Sequence, residues 1–402
     1  GKESKQLFER NRARLKCGKW PEKTLRIEEY HLDLKFGDGL LSRWRRVVLI
    51  DMPGERLADV EMLAHKDLES WSKAILHEIS IEENAGECEK RFLEAAQAAS
   101  SEEDCAGIAE LYFRLMADRL EMNHPYITPS SLLVDRYGKY GPEGFEMPRD
   151  RERLVQWMKE EADSGFMNAP VFPIPSRLLN SGHAEWIARN YKNYQQSVVV
   201  PALSTLASCS DFLVLVDIAA ILEHGPSWKN AYVSLLTSLF DHLSPGGWIS
   251  KLFIGSAHRG TGGLVGSRLR QVTGVATQID RIHHDYNNNV ENLLKELIKR
   301  PTRLHQSDGH FRVNEMIVAA IKCTEGHTTD DGQKFIKFNY QDRTLGKMSD
   351  DILAEEVPNS FSGDWEPGSY HFPSPQPVMP ADDSVPPNQV NLNKLTKALF
   401  NL

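Results

Sequence analysis

The stretch Arg46-Val47-Val48-Leu49-Ile50-Asp51-Met52-Pro53-Gly54-Glu55 constrains the chain most. Four consecutive apolar residues, rich in β-branched side chains, predict a strand buried on both faces of a mostly parallel sheet. Asp51 stands where that strand ends, and Pro53-Gly54 breaks the chain directly afterwards. In an open α/β sheet ligands bind outside the carboxyl ends of the strands, so a carboxylate there faces a crevice. It can hold a Mg²⁺ or its water shell, and the amide of Gly54 in D-x-x-G can meet a terminal phosphate and register its loss. The plain alternative is a buried strand whose acid caps the next helix.

Upstream, residues 3–17 form a basic helical pattern, followed by the irregular loop Gly18-Lys19-Trp20-Pro21-Glu22-Lys23-Thr24. Ile27 to Phe36 alternates apolar and polar residues with period two, which predicts a strand. A Gly-Asp-Gly turn at 37–39 then leads into the organising strand. The order is loop threonine, strand, turn, strand, D-x-x-G. GTPases place switch I, an edge hairpin and switch II in this order, with the switch-I threonine giving its hydroxyl to Mg²⁺. Taken alone, Thr24 is an ordinary β-residue.

From 56 to about 164 the pattern turns helical. Val60 to Ile79 carries Leu63, Trp71 and Ile75 on one face, and Ala106 to Met122 and Asp150 to Ala162 are further amphipathic helices. The acidic segment 81–104 predicts a solvated helix pair, and Phe166 to Pro175 is extended by its prolines. His183 to Ser208 is a long helix interrupted near Pro201. Phe212 to Asp217 is a second apolar strand ending in an acid, and Trp228 to Leu243 is its crossover helix. Val272 to Ala276 is a third strand, Asn288 to Ile298 a helix and Phe311 to Cys323 a fourth apolar stretch. Strands alternating with helices predict a doubly wound sheet. Beyond Gly332 the chain is polar and Pro-rich, and it ends in a short amphipathic helix from Leu392. Trp365, Tyr370 and Phe372 require that this tail wrap the core.

Composition narrows the function classes. A net charge of −9 gives no general case for nucleic acid, although the segment from Lys2 to Arg26 and Arg43-Trp44-Arg45-Arg46 are basic. Cys17, Cys88, Cys105, Cys209 and Cys323 are odd in number and lack C-x-x-C pairs, which argues against a disulfide framework or zinc site and fits a reducing cytosol. The most apolar run, Phe212 to Leu222, is short and carries Asp217, so no spanning segment is expected.

Thr277-Gln278-Ile279-Asp280, after a buried strand, is close to the [NT]-K-x-D of GTPases. A carboxylate offers two acceptors, and guanine presents N1–H and N2–H₂ side by side, a donor pair adenine lacks. Gln278 replaces the lysine whose stem packs over the base. The rival is a Rossmann site at Gly260-Thr261-Gly262-Gly263-Leu264-Val265-Gly266, with Asp280 as the ribose acid. It leaves only Leu264 to Gln271 for a crossover that needs a dozen or more residues. His283-His284-Asp285 suggests a metal at first sight, but adjacent histidines at one helix start diverge in direction, so a capping turn is the better reading.

These pieces together resemble the YcjX-like family of P-loop NTPases, bacterial proteins of GTPase-like fold associated with stress response. The matching residues are Trp20-Pro21-x-x-Thr24, Ile50-Asp51-Met52-Pro53-Gly54-Glu55-Arg56-Leu57, Phe212 to Asp217, Ala276 to His284, Lys322-Cys323-Thr324 and Asn391-Leu392-Asn393. Arg56 and Gln278 depart from the family's usual Trp and Lys, and no G-x-x-x-x-G-K-[ST] occurs in residues 1–402. The resemblance implies an α/β, doubly wound, mostly parallel sheet of the P-loop NTPase type. Its core is residues 1–58 and 205–330, with a helical insertion at 59–204 and a wrapping Pro-rich segment at 331–402.

The resemblance further implies Mg²⁺ and GTP/GDP, with ATP/ADP as the alternative given Gln278. Thr24 and Asp51 would serve the metal, Gly54 the γ-phosphate, Thr277 and Asp280 the base, and Cys323-Thr324 the base through their backbone. Glu55, following the glycine, could orient or deprotonate the attacking water, and its plain alternative is a helix N-terminal acid. The expected function is a guanine-nucleotide switch with slow hydrolysis, acting on a protein partner without nucleic acid or a transmembrane segment. It would be cytoplasmic, with peripheral membrane attachment as the alternative. The competing classes are a non-hydrolysing interaction module on a degenerate NTPase fold and a dinucleotide oxidoreductase. A strand, glycine-rich loop and helix are expected upstream of Gly1. Residues 1–402 alone are expected to show no tight nucleotide site and unpaired edges on the strands flanking the missing one.

Overall fold

The computed structural model describes residues 2–21, 27–36, 43–54, 56–81, 86–122, 124, 126–129, 156, 160, 171–243, 269–307, 311–342, 346–363, 365–382 and 384–400. The chain is an α/β protein with mixed parallel and antiparallel sheets. It divides into two compact units: Gly1–Ser4 with Glu22–Leu206, and Lys5–Pro21 with Ala207–Leu402.

Helix α1 (Lys2–Lys16) lies mostly in the second unit, and the first unit opens with a hairpin of β1 (Glu28–Phe36) and β2 (Arg43–Asp51). The strands pair antiparallel, Glu28 opposite Asp51 and Phe36 opposite Arg43. Among the described residues this sheet has only these two strands. That changes the environment expected for β2. Trp44, Val48 and Leu49 are exposed, because a strand hydrogen-bonded on one side and covered on neither face keeps its side chains in water.

Helices follow: α2 (Arg56–Val60), α3 (Leu68–Ser80), α4 (Glu87–Ala98), α5 (Asp104–Glu121), α6 (Gly182–Tyr194) and α7 (Val200–Ala207). The single helical face read from Val60 to Ile79 is broken because Asp67 starts a fresh helix. Its carboxylate accepts from Ser70 N–H at 2.9 Å in a capping box. The acidic pair expected over 81–104 resolves to one helix, α4, and a turn in which Asp104 accepts from the amides of Ser100 and Ser101. Between α6 and α7 the helix widens into a π turn, Gln195–Val199. Pro201 therefore continues the helix, since the carbonyl four residues before it lies inside that wider turn. The core of this unit is aromatic: Trp71 packs against Tyr191 and Phe92 against Tyr112, with Phe113, Met62 and Leu115 fully buried. Residues 156 and 160 are all that is described of the helix expected over 150–162.

The second unit is built on a parallel sheet, in the order β3 (Asp211–Val216), β4 (Gln271–Ala276), β5 (Arg312–Ile317). Helix α8 (Ile218–His224) and helix α9 (Pro226–Leu243) follow β3, and α10 (Asn287–Ser307) joins β4 to β5. Gly274 on β4 lets α10 sit tight against the sheet: an added Cβ would lie 2.8 Å from Ile298. On the opposite face Val275 clusters with Val318 and Leu395, the last from the terminal helix α11 (Leu392–Phe400). Helix α10 runs past the expected end at Ile298 and through Pro301, with the Thr302 hydroxyl donating to Ile298 O. Strand β3 pairs only with β4 among the described residues, and Leu213 and Leu215 are 40% and 62% exposed.

The polar tail holds structure the sequence did not announce. β6 (Thr324–Thr328), β7 (Lys334–Asp342) and β8 (Gly346–Leu353) form an antiparallel meander. The chain then returns along β5, where Ala319 and Val390 exchange both backbone hydrogen bonds. Phe361 and Phe372 are buried, while Trp365 and Tyr370 are half-buried. No helix among the described residues is long and apolar enough to cross a membrane.

Candidate functional site

The ends of β3, β4 and β5 place four of the sequence-derived residues together. Thr277 leaves β4 with its amide donating to Val216 O at 2.9 Å, fixing the start of the loop against β3. Gln278 then takes a left-handed backbone, φ 53°, and stands exposed. That reversal starts the 3₁₀ turn Ile279–Arg281. Asp280 Oδ2 accepts the Cys323 amide at 2.7 Å, and the Thr324 hydroxyl donates to Asp280 O. Asp280, Cys323 and Thr324 are therefore joined by hydrogen bonds across the chain, and Thr277, three residues before Asp280, is tied to β3 through Val216.

The electrostatics of this cluster follow from burial. Asp280 has its pKa raised above the ordinary carboxylate value, chiefly by desolvation, while the Cys323 amide pulls it back. Burial also pushes the Cys323 thiol up to about 11, so it is neutral and its contribution to the cluster is its backbone. One lone-pair set of Asp280 is taken by Cys323, and the remaining acceptor capacity can meet a donor-rich planar group.

Directly after Asp280, Arg281 anchors the loop in a way the sequence reading missed. Its guanidinium donates to Asp217 at 3.1 Å, to both carboxylate oxygens of Glu223 and to Pro373 O at 2.8 Å. Asp217 also caps α8, accepting from Ala220 N–H at 3.0 Å. Desolvation raises the Asp217 pKa, and Arg281 is the largest influence opposing that rise. The signal available in the sequence was a buried strand ending in Asp217, with an arginine directly after Asp280.

The remaining expected residues belong to the other unit or lie outside the described residues. Asp51 is exposed at the end of β2, opposite Glu28, whose carboxylate accepts from the Tyr30 hydroxyl at 3.0 Å. Burial, then Glu28 and Asp51, push the Tyr30 phenol up to about 12. Gly54 is exposed, with open space where a Cβ would stand, and its carbonyl accepts Leu57 N–H as α2 begins. Thr24, Glu55 and the glycine loop Gly260–Gly266 lie outside the described residues. Downstream of Gly54 a further unforeseen site holds α2. Asp59 is fully buried and accepts from the Tyr194 hydroxyl at 2.6 Å and the Thr128 hydroxyl at 3.0 Å.

His283, His284 and Asp285 bring their donor atoms within 4.8 Å of one another. His283 Nδ1 accepts the Asp285 amide as the cap of a 3₁₀ turn, and Asp285 pairs with Lys334 at 3.2 Å. An ammonium already balances the carboxylate, so the group closes a turn and bridges to β7.

Comparison with known families and proteins gives one result of each kind. A family model described as "YcjX-like family, DUF463" matches residues 6–401. No curated protein matches the chain.

Proposed function

Since the chain belongs to the YcjX-like family, we propose that it is a GTPase-like P-loop NTPase, a guanine-nucleotide switch that hydrolyses its triphosphate slowly with Mg²⁺. The observation that supports this most is the cluster of Thr277, Asp280, Cys323 and Thr324 beyond the carboxyl ends of β4 and β5. Ligands of doubly wound sheets bind at such ends. A partly desolvated carboxylate with spare acceptor capacity suits the adjacent N1–H and N2–H₂ of guanine, and it would face lone pairs on adenine.

In this reading Asp51 and Thr24 serve the metal, Gly54 senses the γ-phosphate and Glu55 positions water. The core is residues 1–58 and 205–330, and the helical segment 59–204 carries the nucleotide state to a protein partner. Asp59, held by Tyr194 and Thr128, is where movement after Gly54 would enter those helices. ATP in place of GTP remains the variant reading at Gln278, whose exposed left-handed position puts no lysine stem over the base. One observation favours a non-hydrolysing interaction module instead: the apolar residues Val48 and Leu49 beside Asp51 are exposed.

Calorimetric titration of GDP and ADP, with Mg²⁺, into the protein at its natural length tests the reading. GDP binds more tightly, and Asp280→Ala costs about 1–3 kcal/mol of that affinity, the loss of charge-assisted hydrogen bonds. Equal affinity for both nucleotides makes ATP the substrate, and binding of neither leaves the interaction module.

A further inference from the structure

The tail segment Phe372-Pro373-Ser374-Pro375-Gln376-Pro377 alternates proline with other residues. Each proline fixes its own φ near −65° and drives the residue before it into extended backbone. The alternation therefore favours a polyproline-II rod, stiff and without internal hydrogen bonds, and the segment has no helix or strand of its own. Its polar groups are held from outside at both ends. At one end Arg281 donates to Pro373 O at 2.8 Å, and the Phe372 amide donates to Glu223 at 2.9 Å. At the other, the Trp20 indole N–H donates to Pro375 O at 2.9 Å, and the Gln376 amide to Asn339 O of β7 at 2.8 Å.

The two anchors come from different stretches that the sequence reading singled out. Arg281 directly follows Asp280, and Trp20 opens the stretch Trp20-Pro21-x-x-Thr24. We propose that Phe372–Pro377 is a rigid strap coupling the loop 277–281 to the Trp20 loop, with Arg281 and Trp20 as positioning residues. Its role in nucleotide recognition rests on the function proposed above, whereas the mechanical link does not. Successive anchored carbonyls are two residues apart, about 6 Å along such a rod, and prolines on both sides restrict the torsions that could absorb a shift. The strap also walls a cleft of about 680 Å³ lined by Trp20, Phe338, Tyr340 and Asp350, so its position sets the width of that cleft.

Hydrogen exchange on the whole chain tests the coupling. Trp20→Phe removes the indole N–H from a side chain 43% exposed, so the fold survives. The expected result is about fivefold faster exchange at the Arg281 and Ile282 amides, the scale of one lost hydrogen bond. In a Pro375→Gly background the same substitution changes nothing at 281–282, because the link has become flexible. Arg281→Lys probes the other direction, speeding exchange at Gly18 and Lys19. Unchanged exchange at 281–282 in Trp20→Phe, or an effect that persists in Pro375→Gly, overturns the strap. Adding GDP with Mg²⁺ to the protein at its natural length forms a separate arm: it slows exchange at 18–20 in the parent protein but not in Pro375→Gly. If GDP alters nothing while the Trp20→Phe effect stands, the strap holds and the nucleotide reading falls.

Discussion

Strands β2 and β3 carry the same local signature, an apolar run closed by an aspartate, yet they differ in the burial of one face. β3 buries Phe212 and Val216 while Leu213 and Leu215 stay 40% and 62% exposed, whereas none of the described side chains of β2 is buried and Leu49, near Asp51, is 40% exposed. β3 lies beside β4, whose Val272 to Ala276 are all buried under α10 on one face and the terminal helix on the other. Among the described residues β2 pairs only with β1. The acids differ accordingly. Asp217 is locked by Arg281 and a helix cap, while Asp51 is exposed. An apolar run thus specifies a strand, but burial of that strand depends on what the rest of the chain brings to it.

The sharpest way to break this contrast is to remove the charge at its centre. Arg281→Ala leaves two partly buried carboxylates, Asp217 and Glu223, unpaired and is expected to cost about 3–5 kcal/mol in urea unfolding. The deficit should shrink on acidification. A carboxylate whose native pKa is raised binds more protons folded than unfolded, so stability falls as pH rises through that pKa and returns below it. Losing Arg281 removes the main influence holding the Asp217 pKa down, which raises it further. A deficit independent of pH would mean that Asp217 does not carry the effect. In the hairpin, the exposed Arg46–Asp33 pair offers the control, and Arg46→Ala should leave the midpoint where it is.

Glycines sharpen the same comparison at smaller magnitude. Gly274→Ala pushes a methyl against Ile298 and Leu294 and should destabilise by about 1–3 kcal/mol. Gly54→Ala meets open space and should leave thermal stability unchanged. If both substitutions are silent, α10 is not seated on β4 as described.

The smallest expected effect is on ligand affinity. In the guanine reading proposed above the base is held by the ionised Asp280, whose pKa lies above that of an ordinary carboxylate. Binding should therefore weaken on acidification at a higher pH than an exposed aspartate would dictate, and Asp280→Asn should abolish that dependence. A GDP titration repeated from neutral to mildly acidic pH reads both.

Parts of the fold were legible because they are local. Period-two alternation marked β1, continuous apolar runs marked β3 and β4, and a long amphipathic face marked α9. The meander is different. β7 does alternate, with Phe338 and Tyr340 against Asn339 and Gln341, but its partner β8, Gly346–Leu353, is mostly polar and offers no pattern of its own. The cluster at Thr277, Asp280, Cys323 and Thr324 was legible as motifs. Arg281 was not read, since its partners Asp217, Glu223 and Pro373 lie 64, 58 and 92 residues away.

By itself the sequence determined the strand character of β1 to β4, the acids Asp51 and Asp217 at the ends of β2 and β3 and the restricted backbone of the proline-rich strap, because backbone preference and side-chain period act over a few residues. Tertiary structure decided which acid is buried, which arginine neutralises it and where the strap is fastened. Burial and charge pairing are properties of neighbours in space, and a chain of this length chooses those neighbours from segments tens to hundreds of residues apart.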